Sequence, residues 1–118
     1  MKKILLIIDN DELRQVYHEI LFSHRVEVTP VKEISTAIML LNLDKFSVVI
    51  LDMGNNLLET EIFFRLRKNY KNLLKTKFVV LTKDKNFSPN LIKTDLLINC
   101  DEIPFEEVIK KIENSCNI

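Results

Sequence analysis

The chain has 118 residues, 47% of them hydrophobic, and its 17 basic side chains balance its 17 acidic ones. A chain of this length forms one core, so we expect a single domain over residues 1–118. The balanced charge gives no overall positive field, which excludes nucleic acid and anionic membrane surfaces as expected partners.

The cysteines and the N-terminal residues indicate the cellular compartment of the protein. Cys100 and Cys116 are the only cysteines and form no CxxC motif, so neither a disulfide framework nor a zinc site is expected. The apolar run at 4–8 stops at Asp9 and is too short for the hydrophobic region of a signal peptide. No stretch reaches the length of a membrane span, and we expect a cytoplasmic protein.

An apolar run followed by a helical pattern opens the chain. Residues 4–8 predict a buried strand. Asn10 or Asp11 is expected to cap the next helix, and the acidic Asp11 and Glu12 suit its first turn because they oppose the helix dipole. The apolar side chains of this helix recur at helical spacing: Leu13, Val16, Tyr17, Ile20 and Leu21.

An edge strand and a second helix are predicted next. Residues 26–29 alternate as an edge strand does, and Pro30 is expected to end that strand. Apolar residues at helical spacing between 34 and 41 predict the second helix.

Three more strands are predicted in the second half. Residues 48–51 and 78–81 are apolar runs typical of strands buried on both faces, and residues 96–99 predict the last strand. A polar loop at 53–56 follows the first of these runs.

The helices of the second half are less regular. A third helix is expected through Leu58, Ile62 and Leu66, whereas residues 83–93 support only a short one. Lysines at 68, 71, 75 and 77 form a charge run typical of a solvated face, and nucleic-acid binding through it is not expected. The last helix should hold Pro104 in its first turn and bury four side chains: Phe105, Val108, Ile109 and Ile112.

Alternating strands and helices predict an α/β fold, a doubly wound five-stranded parallel sheet with helices on both faces. Asp9, Asp52 and Thr82 each come directly after an apolar strand run. Because ligands collect beyond the carboxyl ends of strands in such sheets, the sequence predicts a site of two carboxylates and a hydroxyl at one edge.

These features resemble the receiver domains of bacterial response regulators, which have the flavodoxin-like fold of the chemotaxis regulator and strand order 2-1-3-4-5. The resemblance covers essentially the whole chain. It rests on the order and spacing of these motifs: Lys-Ile-Leu-Leu-Ile-Ile-Asp at 3–9, Leu13-Arg14, Asp52, Thr82 and Ile103-Pro104-Phe105.

The resemblance implies a role for each strand-end residue. Asp52 would be the phosphoacceptor, and Asp9, Asp52 and Gly54 would bind Mg²⁺. Thr82 would contact the phosphoryl group. A further contact from Lys83 is a hypothesis that rests only on its position directly after Thr82. A carboxylate nucleophile, a divalent cation and hydrogen-bond donors to phosphoryl oxygens suit this chemistry.

Several positions depart from the family pattern. An alignment without gaps places Ile8 at the first of two usual acidic positions and Asp9 at the second, which binds the metal directly. Shifting by one would pair Asp9 with Asn10 but displaces Leu13-Arg14. With Ile8 in place of a carboxylate, Mg²⁺ loses ligand charge and its binding should weaken. Ile103 replaces the family lysine, so phosphoryl binding should weaken as well, and Lys83 is a candidate replacement. Cys100 or a neighbour stands at the family's aromatic position.

Three functions remain open. The leading hypothesis is a two-component receiver-like domain with a degenerate phosphoacceptor site, not an enzyme, that acts mainly as a protein-interaction module. Its partner would be a histidine kinase or a downstream signalling protein, and a homodimer through the fourth and fifth strands and last helix is possible. The alternative is a functional response regulator phosphorylated on Asp52 by a histidine kinase with Mg²⁺. A flavodoxin-like binder of a small anion or nucleotide is disfavoured by the single glycine.

Overall fold

The computed structural model describes residues 2–54, 57–67, 73, 75–84 and 94–118, with the backbone alone at 57–59 and 66–67. The predicted loop at 53–56, the charge run at 68–77 and the short helix at 83–93 therefore lie partly outside the described residues, as do the side chains of Leu58 and Leu66. Within the described residues, no helix is both long and apolar enough to cross a membrane.

Strands and helices alternate through the described part of the chain. Five parallel strands form one sheet in the order β2-β1-β3-β4-β5. This order and the helices that flank it confirm the predicted fold. The elements are β1 (Lys3–Ile7), α1 (Asp11–Phe22), β2 (Glu27–Val31), α2 (Ile34–Leu43), β3 (Val48–Asp52), α3 (Leu57–Arg67), β4 (Lys77–Thr82), β5 (Leu96–Asn99) and α4 (Phe105–Cys116).

The sheet separates two hydrophobic cores. Alternate residues of a strand point to opposite faces, so the apolar runs of β1, β3 and β4 supply both cores. One core lies between the sheet and the helices α1 and α4, and it includes Ile4, Ile50 and Ile112. The other lies between the sheet and the helices α2 and α3, and it includes Leu5 and Phe78. Both faces are thus covered, as continuous apolar strands require.

Asn10 decides where α1 begins. Its side-chain oxygen accepts a hydrogen bond from the amide of Leu13 at 2.9 Å, so Asn10 is the cap and Asp11 is the first helical residue. The helix buries Tyr17 and Leu21, as predicted, while Val16 is 42% exposed. The turn that carries Asp9 is therefore held at its far end by a capped helix.

The prediction that Pro30 ends the second strand is wrong, because β2 runs from Glu27 to Val31 and contains it. The strand lies at the edge of the sheet and pairs only with β1. The amide of Glu27 and the carbonyl of Val31 both face β1, which places the nitrogen of Pro30 on the outer side. A proline there removes no hydrogen bond from the sheet.

The start of α4 also differs from the prediction. Pro104 is the cap residue immediately before the helix, with an extended backbone. Phe105 is 38% exposed, whereas Val108, Ile109 and Ile112 are buried as predicted. Phe105 is the first residue of the helix, and its ring packs edge-on against the ring of Tyr17 on α1.

Candidate functional site

The carboxyl ends of β1 and β3 open into a cavity of about 540 Å³. The two strands are neighbours in register, with Ile7 beside Leu51, so the residues that follow them meet at one edge. Asp9 and Asp52 both line this cavity, together with Gly54. The structure therefore brings together all three residues for which the resemblance implied a metal-binding role.

Asp52 ends β3 and is only partly exposed. Its Oδ1 accepts a hydrogen bond from the amide of Gly54 at 3.0 Å, and Gly54 has a φ of 56° in the left-handed region that favours glycine. Burial raises the pKa of the Asp52 carboxyl, and the negative charge of Asp9 adds to this effect. The Gly54 hydrogen bond and the positive charge of Lys83 act in the opposite direction.

Thr82 ends β4 on the other side of β3. Asp52 pairs with Leu81, so Thr82 lies one residue beyond the partner of Asp52. Its side chain is 2% exposed, and its hydroxyl oxygen accepts a hydrogen bond from the amide of Asp84 at 3.1 Å. Accepting this bond leaves the hydroxyl hydrogen available to donate. Thr82 does not line the cavity that contains Asp9 and Asp52.

Lys83 follows Thr82 at the same edge and is exposed. Burial raises the pKa of Asp52 and of the Cys100 thiol, and the positive charge of Lys83 opposes this rise at both groups, so its ammonium group lies within electrostatic range of both side chains. Cys100 itself is half-buried, its pKa is raised mainly by burial, and its amide donates to the carbonyl of Thr82 at 2.8 Å. A lysine thus directly follows β4, within electrostatic range of Asp52.

Ile103 packs at the margin of the core between the sheet and the helices α1 and α4. Its half-buried aliphatic side chain brings no charge to the edge where Asp52 lies. The position that carries a lysine in the family pattern therefore contributes apolar packing here.

The oxygen donors of the cavity suit a weakly held Mg²⁺. Asp9 and Asp52 offer two carboxylates, and Gly54 lines the cavity beside them. Mg²⁺ prefers such hard oxygen ligands and commonly keeps several waters beside one or two carboxylates. Among the described residues, no group of three or more His, Cys, Asp or Glu side chains is placed to hold a metal.

The other polar residues beside Asp9 have partners of their own. The Arg14 guanidinium donates to the Ile8 carbonyl at 2.9 Å and to Asp11 at 2.7 Å, and it lowers the pKa of Asp11. Lys32, which lines the cavity, lies 4.0 Å from the same Asp11 carboxylate. Asp11 is therefore paired with Arg14 and Lys32 and does not line the cavity, and Asp9 is the carboxylate that the end of β1 contributes to it.

Sequence reasoning missed the roles of Arg14 and Lys32. Arg14 and Asp11 stand three residues apart on one helix, a spacing at which side chains meet, so this pair was open to prediction. Lys32 reaches the cavity from the turn between β2 and α2, and no local pattern indicates that approach.

The structure is similar to solved receiver domains along its whole length. Response regulator TrrA of Thermotoga maritima, solved with Mg²⁺ and BeF, is 21% identical, with a TM-score of 0.75 and 98% of this chain and 99% of that one covered. The chemotaxis response regulator CheY4 of Vibrio cholerae is 18% identical, with a TM-score of 0.81 and 98% of each chain covered. The receiver domain of a Pseudomonas aeruginosa sensor histidine kinase, solved with magnesium in its active site cleft, is 16% identical, with a TM-score of 0.80 and 99% and 98% covered.

Neither a family model nor a curated protein matches the sequence. At identities of this size, the solved structures establish the fold, and the chain has the fold of response-regulator receiver domains.

Proposed function

We propose that this chain, which has the receiver fold, is a receiver-like domain of two-component signalling with a weakened phosphoacceptor site. The proposal rests above all on one observation, the meeting of Asp9, Asp52 and Gly54 in a single cavity at the carboxyl edge of β1 and β3. Its main action would be contact with another protein rather than catalysis. We place it in the cytoplasm.

Asp52 is the proposed phosphoacceptor. Its carboxylate oxygen attacks the phosphorus of a phosphohistidine on a histidine kinase, the P–N bond breaks, and the imidazole leaves with that electron pair. Asp9, Asp52 and the Gly54 carbonyl would hold Mg²⁺, whose charge would neutralise the phosphoryl oxygens. Burial works against this step, because it favours the protonated form of Asp52, which is not nucleophilic.

Thr82 and Lys83 are the proposed contacts to the phosphoryl group. The Thr82 hydroxyl has a hydrogen to donate, and the Lys83 ammonium is already within electrostatic range of Asp52. A hydrogen bond to a charged group contributes about 1.5–3 kcal/mol. Lys83 would thus replace the charge that Ile103 does not supply.

A fully functional response regulator is the second candidate. It is favoured by the presence of Asp9, Asp52 and Thr82 at adjoining strand ends. A small-anion or nucleotide site is disfavoured by the charge of the cavity, where Asp9, Glu33 and Asp52 face Lys32 as the only described cation in the lining. The two leading candidates differ only in how strongly the site binds Mg²⁺ and a phosphoryl group.

The partner surface that we propose runs over β4, β5 and the start of α4. Phe105 is exposed there, and Cys100 and Ile103 are half-buried beside it, so this end of the domain offers apolar surface to another chain. The partner would be a histidine kinase, a downstream signalling protein or a second copy of this chain.

The proposal is tested by an amide NMR titration with Mg²⁺ and then with beryllofluoride, which mimics the phosphoryl group. Shifts of the amides at Asp9, Asp52 and Thr82 that disappear in Asp52→Asn would support it. Complete beryllofluoride binding at saturating Mg²⁺ would favour the fully functional regulator, whereas partial binding would favour the weakened site. Unchanged spectra at millimolar Mg²⁺ with beryllofluoride would contradict any phosphoacceptor role.

The role of Lys83 needs its own variant. We expect Lys83→Ala to weaken beryllofluoride binding about tenfold or more, since an ionic hydrogen bond is lost. Lys45→Ala is the matched control, because Lys45 is equally exposed but lies before β3, at the opposite edge of the sheet. Equal binding by the two variants would rule out the replacement.

A further inference from the structure

Tyr17 stands out as a buried phenol that the proposed phosphoryl chemistry does not use. It lies on the inner face of α1 and is 2% exposed. It belongs to the core between the sheet and the helices α1 and α4, which Cys100 and Ile103 also contact. A buried tyrosine has an apolar ring and a polar tip, so it can connect an apolar contact to a charged one.

The ring of Tyr17 meets the start of α4. Its centroid lies 5.5 Å from that of Phe105, with the ring planes at 72°, which is an edge-on contact. Such pairs have a preferred geometry, because the positive ring edge is attracted to the negative ring face. Phe105 is the first residue of α4 and is partly exposed, so the contact joins α1 to a residue on the surface.

The hydroxyl group of Tyr17 is influenced electrostatically by groups near the proposed phosphoacceptor. The pKa of its phenol is raised, mainly by burial and then by the electrostatic effect of the neighbouring Cys100 and Asp52 side chains. Ile50 of β3 belongs to the same core as Tyr17, and Asp52, two residues further along the strand, faces the same side of the sheet, so the phenol and the Asp52 carboxyl group share that side. Cys100 is tied to the same edge, because its amide donates to the carbonyl of Thr82.

We propose that Tyr17 couples the charge at Asp52 to the position of Phe105 at the start of α4. A phosphoryl group carries about −1.5 to −2 charges, more than the single charge of a carboxylate. The greater negative charge attracts the phenolic hydrogen and moves the ring relative to Phe105. Tyr17 is a positioning residue in this account, which rests on the proposed function, and its effect is to alter the partly exposed surface at Phe105.

The composition of the chain offers a direct probe. There is no tryptophan, and Tyr17 and Tyr70 are the only tyrosines. In a Tyr70→Phe background, Tyr17 is therefore the sole source of tyrosine fluorescence. We expect its emission to change when Mg²⁺ and beryllofluoride are added, and we expect no change when Asp52→Asn is also present.

A second measurement is the NMR shift of the Phe105 amide at the start of α4. Tyr17→Phe keeps the ring and its contact with Phe105 but removes the hydroxyl. We expect the beryllofluoride-induced shift of the Phe105 amide to be lost in this variant, while the shifts at Asp52 and Thr82 remain. Phe22→Leu is the control on the same helix, since Phe22 is 67% exposed, and it should leave all of these shifts intact.

The outcomes separate this inference from the proposed function. Shifts at Asp52 without a change at Tyr17, or an intact Phe105 shift in Tyr17→Phe, would overturn the coupling and leave the phosphoacceptor role standing. If beryllofluoride does not bind at all, the coupling is tested by comparing the unliganded protein with Asp52→Asn, which removes the negative charge of the carboxylate. Unchanged Tyr17 emission and an unchanged Phe105 amide in that variant would overturn it, whereas changes at both would support it without a phosphoryl group.

Discussion

Replacing Asn10 by alanine removes the cap of α1 and leaves the strand residues untouched. The side-chain oxygen of Asn10 accepts the Leu13 amide at 2.9 Å, and this is the capping bond at that end of the helix. Such a replacement costs about 1 kcal/mol of folding free energy. For 118 residues the entropy of unfolding is about 0.25 kcal/mol/K, so we expect Tm to fall by roughly 4 °C.

The measurement is thermal unfolding followed by circular dichroism, with Glu33→Ala as the control. Glu33 caps α2 by position, but its side chain makes no capping hydrogen bond, so its replacement should move Tm by less than about 2 °C. An equal loss in the two variants would refute the assignment of Asn10 as a side-chain cap.

The same variant tests which residue binds the metal. Because the Asn10 side chain is directed to the Leu13 amide, Asn10→Ala should weaken Mg²⁺ binding much less than Asp9→Asn does. A greater loss in Asn10→Ala would place Asn10, rather than Asp9, at the metal-binding position.

Three further predictions concern stability. Asp52→Asn should stabilise the metal-free protein at pH 7, because burial raises the pKa of Asp52 and its ionisation opposes folding. The gain should disappear as the pH falls below about 3.9, the usual carboxyl pKa. Urea unfolding at several pH values measures both effects. Gly54→Ala should cost about 1–2 kcal/mol through its left-handed backbone, and Gly54→Asn less, by the same measurement. The ammonium groups of Lys2 and Lys77 donate to carbonyls in the last turn of α4. Lys2→Met and Lys77→Met should therefore each lower the free energy of unfolding by up to about 1 kcal/mol and speed amide hydrogen exchange in that turn. Unchanged exchange would contradict this role.

Much of the fold could be predicted from local sequence patterns. The apolar runs of β1, β3 and β4 lie within one residue of their predicted positions, because strands buried on both faces need continuous apolar side chains. The position of Asp52 followed from the same pattern, since a carboxylate that ends such a strand lies at the edge of the sheet.

Local patterns were less informative at the margins of the fold. Pro30 breaks a strand only if its nitrogen faces a neighbouring strand, and that depends on which side of β2 is paired. Phe105 fits the apolar pattern of α4, but its exposure depends on how that helix meets α1. Both outcomes depend on elements far away in the sequence.

The sequence by itself determined the strands, the alternation with helices and the acidic residues at the strand ends, because these follow from burial and from the periodicity of each element. Only the tertiary structure decided which groups meet. Lys83 lies within electrostatic range of Asp52 while Ile103 packs against the core, and Tyr17 on α1 contacts Phe105 and lies on the side of the sheet that Asp52 faces. Such proximities join different elements, and the register and packing that bring the groups together are properties of the whole fold.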